Sequence, residues 1–224
     1  MECETLFLVG DVIDIQALRS KWNWLDTHNT VIQKLLRLAR KGTQVFYILG
    51  NHDESFEKLL DEETGLCHLG GVLIKKSHQY RLIDGREALI LHGHQFDGAV
   101  RTMPWLYWLG DRAYGVALRL NSLCSKIRKR MGKPYWSLSA YLKSRVKRAV
   151  QFINNFEKLI ITEAEKTGVN AVFSGHIHVP SIQQFGNITY YNDGDWCESC
   201  TAIVEDLDGT IRLVNHLHQP FEQP

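Results

Sequence analysis

Short, unbroken apolar runs stopped by a glycine recur along the chain. Leu6-Phe7-Leu8-Val9 stops at Gly10-Asp11, and Val45-Phe46-Tyr47-Ile48-Leu49 stops at Gly50-Asn51. Ala88-Leu89-Ile90-Leu91 stops at His92-Gly93, and Ala171-Val172-Phe173-Ser174 stops at Gly175-His176. A run of this length without polar alternation predicts a strand buried on both faces. Shorter strands are predicted over Val72–Lys75, 80–83, 188–191, 202–205 and 211–214, with turns at Asp84-Gly85 and Asp208-Gly209. Between 30 and 40 the apolar positions Val31, Ile32, Leu35, Leu36 and Leu38 take helical spacing, and Gly42 closes that helix. Strands interleaved with helix in this way predict a layered α/β domain.

The stretch from Gly98 to Gly168 reads differently. It is poor in strand signals, rich in Arg, Lys, Leu, Trp and Tyr, and punctuated by Pro104 and Gly132-Lys133-Pro134. Two or three helices are predicted there, the last over about 137–167. The organisation is therefore one domain over 1–224 with a helical insertion over about 98–167. A chain of 224 residues with 44% hydrophobic content can bury the core that such a domain needs. No stretch reaches the roughly 18 uncharged apolar residues of a membrane span. Met1-Glu2-Cys3-Glu4-Thr5 is acidic where a signal peptide is basic. A cytoplasmic protein is expected. The five cysteines stand at irregular spacing, which argues against a disulfide framework. Cys197 and Cys200 form a C-x-x-C without the second pair that a four-cysteine zinc site needs, so reduced thiols are expected.

The candidate chemistry lies where the four long apolar runs end. The endings read Gly10-Asp11-Val12-Ile13-Asp14, Gly50-Asn51-His52-Asp53, His92-Gly93-His94 and Gly175-His176-Ile177-His178. In layered α/β sheets, ligands gather at the carboxyl ends of strands, and a glycine beside each donor lets the backbone turn away. Each ending alone has a plainer reading. Asp11 can be a helix cap, His92 a satisfied core histidine, and Gly-Asn-His-Asp a turn. His176 and His178 share a site only if the chain bends between them. Taken together, the endings supply carboxylate, amide oxygen and imidazole, a mixed shell that suits Mn, Fe or Zn better than Ca or Mg alone. Phosphate-ester hydrolysis needs charge neutralisation at phosphorus and a hydroxide at neutral pH, which two divalent ions roughly 3.5–4 Å apart supply.

In these motifs and their order, the chain resembles the calcineurin-like metallophosphoesterase superfamily over nearly its whole length. The long insertion after His92 and the segment Tyr190-Tyr191-Asn192-Asp193-Gly194-Asp195-Trp196 are similar to the UDP-2,3-diacylglucosamine pyrophosphatase-like branch. The resemblance implies a layered fold of sheets flanked by helices and a two-metal site. Manganese is the expected ion, with Fe, Zn or Mg as alternatives. Asp11 would bridge both metals, Asn51, His92 and His176 would complete the second site, and His178 would serve the first. Asn51 and His52 would also meet substrate. His52 would stabilise the transition state or protonate the leaving group, with Asp53 orienting its ring. The resemblance assigns no role to His94, which is expected at the surface or behind the ligands. Two departures stand out. The family's Asp-x-His motif ahead of GD-x-x-D is absent from this sequence, so the second metal is expected to bind well, the first poorly, and activity to be reduced. The branch often carries Gly-Asn-Arg-Asp where this chain keeps His52, which leaves another substrate open.

Net charge is only +1, yet residues 98–150 hold twelve Lys or Arg against one acid, Asp111. Nearly all of the positive excess sits on that segment, interleaved with Trp105, Tyr107, Trp108, Trp136 and Tyr141. Three readings compete: a solvated helical face with its aromatics packed inward, a lid over an anionic lipid-bearing substrate, and a nucleic-acid groove with stacking aromatics. The lid is favoured, because basic residues beside tryptophan also suit an anionic membrane surface. Arg128, Lys147 and Arg148 are candidate substrate contacts from charge alone. The expected partner is an anionic nucleotide or lipid-linked substrate, with the inner face of the cell membrane as a second candidate surface. Nucleic acid is disfavoured, and the oligomeric state is open. The favoured function is hydrolysis of a phosphoester or pyrophosphate bond in a nucleotide-diphospho-lipid. A phosphodiesterase or nuclease on the same scaffold, and a degenerate membrane-binding module, are the alternatives.

Overall fold

The computed structural model describes residues 3–97 and 138–216, with side chains left undescribed for 138–149 and 151. The described strands are β1 (Thr5–Val9), β2 (Gln44–Ile48), β3 (Cys67–Leu69), β4 (Val72–Lys75), β5 (Ser77–Arg81), β6 (Glu87–Leu91), β7 (Ala171–Ser174), β8 (Ser181–Phe185), β9 (Ile188–Asn192), β10 (Thr201–Glu205) and β11 (Ile211–Asn215). The helices are α1 (Ile15–Ser20), α2 (Asp26–Arg40) and α3 (Leu138–Thr167). One sheet runs β1-β2-β4-β3, a second runs β5-β6-β7-β9-β8, and β10 with β11 forms a separate hairpin.

The four long apolar runs are the parallel strands β1, β2, β6 and β7. β1 pairs with β2 in register Val9↔Ile48, and β6 pairs with β7 in register Ile90↔Phe173. Parallel pairing brings the carboxyl ends of each pair to the same sheet edge, so Asp11 and Asn51 leave one sheet side by side and His92 and His176 leave the other. Val45, Tyr47 and Leu49 turn one face of β2 toward α2, meeting Leu36, Leu38 and Ala39. The opposite face carries Phe46, which stacks on Phe7 at 5.0 Å and on His78 of β5 at 4.2 Å. That aromatic cluster joins the two sheets. Ile203 and Ile211 of the hairpin pack on Leu82, Ala88, Ala171 and Tyr191 of the second sheet.

The expected strands are present with ends shifted by a few residues, and α2 begins one turn earlier than its apolar spacing predicts. Three elements are not predicted by the sequence pattern: α1, β3 and β8. β8 exposes Gln183 and Gln184, so it carries no apolar run to find. The chain divides into two compact units, one formed by residues 1–95 and 160–224 and the other by Phe96–Leu159. α3 is the last predicted helix of the insertion. Among the described residues, no helix is long and apolar enough to cross a membrane.

Candidate metal centre and catalytic dyad

Asp11, His92 and His176 converge, each offering one donor atom within 4.8 Å of the others. Local backbone strain places them. Among the described residues four non-glycines have left-handed φ, and three of them are Asp11 (54°), His176 (68°) and His178 (57°). Such conformations are costly for residues with a Cβ and gather at functional sites. Gly10 precedes Asp11 at φ 79°, and a Cβ there would fall inside the His92 ring. A Cβ on Gly50 would collide with the Asp11 carboxylate. Gly10 therefore lets strand ends from different sheets approach within one side chain's width, and Gly50 does the same for neighbouring strand ends of one sheet.

The hydrogen bonds set the protonation of the donors. His92 is buried, and its Nδ1 lies 2.9 Å from the Val9 carbonyl oxygen, to which it donates. This commits Nδ1 to carry a proton and turns Nε2 toward Asp11 Oδ2, 3.3 Å away. Nε2 finds no aligned hydrogen-bond partner, and neither does the buried Oδ1 of Asn51. A neutral His92 would then leave two buried acceptors, Nε2 and Asn51 Oδ1, without a donor, the first of them facing the Asp11 carboxylate. A divalent cation satisfies such a set, and the Val9 hydrogen bond is the outer bond that metal-ligating histidines generally make. Without a cation, a proton takes its place. Burial alone would lower the His92 pKa, but the Asp11 carboxylate outweighs it and the ring is raised above its usual 6.5. Burial alone would raise Asp11, but His92 and the His52 N–H overcome it and hold the carboxyl at about 2. The residues present fit a divalent ion at this position.

The second half of the site is His52. Its backbone N–H donates to Asp11 Oδ1 at 2.8 Å, and its ring Nδ1 lies 2.9 Å from Asp14 Oδ1. Asp14 also caps α1 through the Ala17 N–H. Asp14 therefore orients the His52 ring, a task that the motif pattern assigns to Asp53. Asp53 is fully buried and turned away, accepting from Gly50 N at 2.6 Å, Val12 N at 3.1 Å and Tyr47 Oη at 2.5 Å. Its carboxylate ties the loop after β1 to the loop after β2. Asp14 is visible in the sequence as the last letter of Gly-Asp-Val-Ile-Asp, yet its reach across 38 positions is a product of the fold. Asp193 lies in the Tyr190–Trp196 segment that the sequence marks without giving it a role, and its carboxyl is raised to about 7 by burial, with His92 pulling the other way.

His178 is exposed and stands outside the trio, with the Asp195 carboxylate as an electrostatic neighbour. His94 is half-buried, its ring 5.5 Å from that of His92 and 6.5 Å from that of His176. Arg128, the side chains of Lys147 and Arg148, and the aromatic residues of the basic segment lie outside the described residues. Beside Asp14 and His52 in the chain, an apolar groove of about 570 Å³ is lined by Ile13, Ile15, Leu18, Arg19, Trp22, Trp24 and Phe56.

Residues 2–180 match a family model described as calcineurin-like phosphoesterase. The chain is similar to the UDP-2,3-diacylglucosamine hydrolase of Neisseria meningitidis serogroup A, with 23% identity covering 94% of this chain and 83% of the relative. It is also similar to the UDP-2,3-diacylglucosamine hydrolase of Aliivibrio fischeri, with 24% identity covering 88% of this chain and 78% of the relative. Similar solved structures include a novel archaeal phosphodiesterase, at 13% identity and a TM-score of 0.41, covering 94% of this chain and 98% of that one.

Proposed function

We propose a substrate from the premise that this chain belongs to the calcineurin-like phosphoesterase family: a nucleotide-diphospho-lipid of the UDP-2,3-diacylglucosamine type. The chain is a metal-dependent phosphoester hydrolase, and its fold is the family's mixed sheets flanked by helices. The finer reading rests on two supports. Relatives named UDP-2,3-diacylglucosamine hydrolase align over most of the chain. The observation that carries it is the groove of Ile13, Ile15, Leu18, Trp22, Trp24 and Phe56, whose wall begins one residue either side of Asp14. An apolar groove beside a phosphoryl site suits a substrate with a charged diphosphate and a greasy end. Arg19 adds a cation to the groove's lining.

Asp11, Asn51, His92 and His176 are the residues proposed to hold a divalent ion, with manganese favoured for their oxygen and nitrogen donors. The bound ion supplies neutralisation of phosphoryl charge and a lower pKa for the attacking water. The protein's own residues do the rest. Burial alone would raise Asp14, but the Ala17 N–H and His52 keep it below the usual carboxylate range. It therefore stays ionised and accepts from the Nδ1–H of His52, so that in the imidazolium form the Nε2–H passes to the departing phosphate oxygen and leaves the neutral Nδ1–H ring behind. The Asp11 carboxylate receives the His52 backbone N–H, so dyad and metal donors move as one body. A lipid-linked substrate places the protein at the cytoplasmic face of a membrane, where the basic segment 98–150 would meet anionic lipid.

The test is hydrolysis of UDP-2,3-diacylglucosamine and of bis(p-nitrophenyl) phosphate with added manganese, for the chain as given and for His176→Ala. Turnover of both, abolished by the substitution, is expected. Turnover of the generic diester alone would remove the lipid-linked substrate and favour a general phosphodiesterase. No turnover of either would favour a binding module.

A further inference from the structure

We propose that Glu54, Glu57 and His94 form a second divalent-cation site, separate from the Asp11–His92–His176 cluster, that takes zinc or manganese. One donor atom of each lies within 4.8 Å of the other two. Two unrelated local devices create this meeting. Glu54 and Glu57 lie three apart on the 3₁₀ helix Glu54–Leu59. A 3₁₀ helix has three residues per turn, so these side chains stack on one line. His94 opens the 3₁₀ turn His94–Phe96 after Gly93, whose φ of 110° swings the chain back from the end of β6. The sheet edges that assemble the first cluster thus also set an imidazole against two carboxylates.

The donor chemistry is that of a metal site rather than of a solvated acidic pair. Carboxylate oxygen and imidazole nitrogen are both zinc donors, and three protein donors leave a fourth position open. Bond lengths of about 2.0–2.2 Å put donors roughly 3.3–3.6 Å apart around a tetrahedral ion, so small side-chain rotations close the present spacing. Glu57 is already fixed by an ion pair with Lys76 at 2.5 Å, which orders one carboxylate and leaves its other oxygen for the ion. Glu57 and His94 are half-buried, and Glu54 is exposed. The site therefore has two half-buried walls and one side open to solvent. With Lys76 counted, the cluster carries one net negative charge, which a divalent ion reverses.

Its place suggests a use, and this step rests on the diphosphate reading above. The His94 ring is 5.5 Å from that of His92 and 6.5 Å from that of His176. An ion held here would sit beside the first and could bind the phosphate that is not attacked. The second cation would then favour diphosphates over simple monoesters.

Zinc bound per chain is counted by elemental analysis, and affinities are measured by calorimetry, on the whole chain. The proteins are wild type, His176→Ala, Glu54→Gln with Glu57→Gln, and His94→Asn. His176→Ala is expected to weaken one ion and leave the other. The paired glutamate change and His94→Asn are expected to remove the other, weakening it at least 30-fold while sparing the first. Cobalt substitution gives an independent reading, since loss of the His94 nitrogen changes the absorption of one ion only. Because Glu57→Gln also breaks the Lys76 pair, Glu54→Gln alone is measured, with at least a fivefold loss expected. Zinc count and affinity unchanged in Glu54→Gln and His94→Asn, with the fold intact by circular dichroism, would overturn the site. An intact zinc site in protein that turns over no UDP-linked lipid upholds the site while refuting the substrate.

Discussion

Replacing Asp53 with alanine separates a structural carboxylate from a catalytic one. The side chain is fully buried and accepts from Gly50 N, Val12 N and Tyr47 Oη. Alanine orphans these three donors, each costing about 1–3 kcal/mol when left buried and unpaired. The costs share one site and do not add fully, because the loops relax and water enters. Some cost is also relieved, since burial already pushes the Asp53 carboxyl up, with Tyr47 and the Gly50 N–H only partly opposing it. The net loss is about 3–4 kcal/mol. For a chain of this size each kcal/mol lowers Tm by about 2–4 °C, so a drop of about 10 °C is expected. Asp53→Asn keeps an acceptor oxygen but turns an amide N–H₂ toward a donor, and about half the loss is expected. Thermal unfolding by circular dichroism, run beside a manganese titration, reads both effects. Metal affinity is expected to fall as well, because Asp53 holds the loops of Asp11 and Asn51 together. An unchanged Tm with a large fall in kcat would refute the reasoning and return Asp53 to the role of orienting His52.

Asp14→Asn is expected to leave Tm in place, since asparagine caps α1 as well as aspartate does, while kcat falls about 10–100-fold because His52 loses its anionic partner. Matched steady-state kinetics and melts check this, and equal losses in both would contradict it. Gly10→Ala is expected to cost about 1–2 kcal/mol from the left-handed φ alone, and more from the methyl's collision with the His92 ring; denaturant unfolding and metal affinity measure it. In chelator-treated protein, the Asp11–His92 pair gives a stability maximum with two limbs. The Asp11 pKa is held at about 2 against 3.8, so its contribution, about 2 kcal/mol, is present above pH 3.8 and lost as pH falls through about 2. The His92 pKa is raised, so its contribution is complete below pH 6.5 and lost as pH rises through the raised value. A divalent cation replaces the proton on Nε2 and is expected to abolish the alkaline limb; melts across pH with and without manganese decide it, and an alkaline limb that survives saturating metal would count against Nε2 as a ligand.

The four strand ends that carry the candidate donors could be read from the chain because two physical constraints coincide there. A parallel strand covered on both faces must be apolar throughout, and its exit beside a strained donor favours glycine. Both leave marks in adjacent letters, as in Leu6-Phe7-Leu8-Val9-Gly10-Asp11. The positioning groups leave no such mark. Asp53 adjoins His52 in sequence and is turned from it, while Asp14 is distant in sequence and hydrogen-bonded to it. Which carboxylate serves the imidazole depends on how the loops after β1 and β2 cross, and Tyr47, which fixes Asp53, reads only as one more apolar letter of β2. His94 shows the same limit. Its spacing from His92 suggests a bystander, and only the fold brings it to Glu54 and Glu57 from another sheet. α1 and β8 carry little signal for a related reason: one is six residues long and buries none fully, and the other presents glutamines to solvent. Donor atoms are thus encoded by local backbone demands, and their partners by tertiary crossing. For this site the partners matter most, because Val9 sets the tautomer of His92, and Asp14 sets that of His52. A chain with every ligand in place but either of these hydrogen bonds broken would keep the family's motifs without its chemistry.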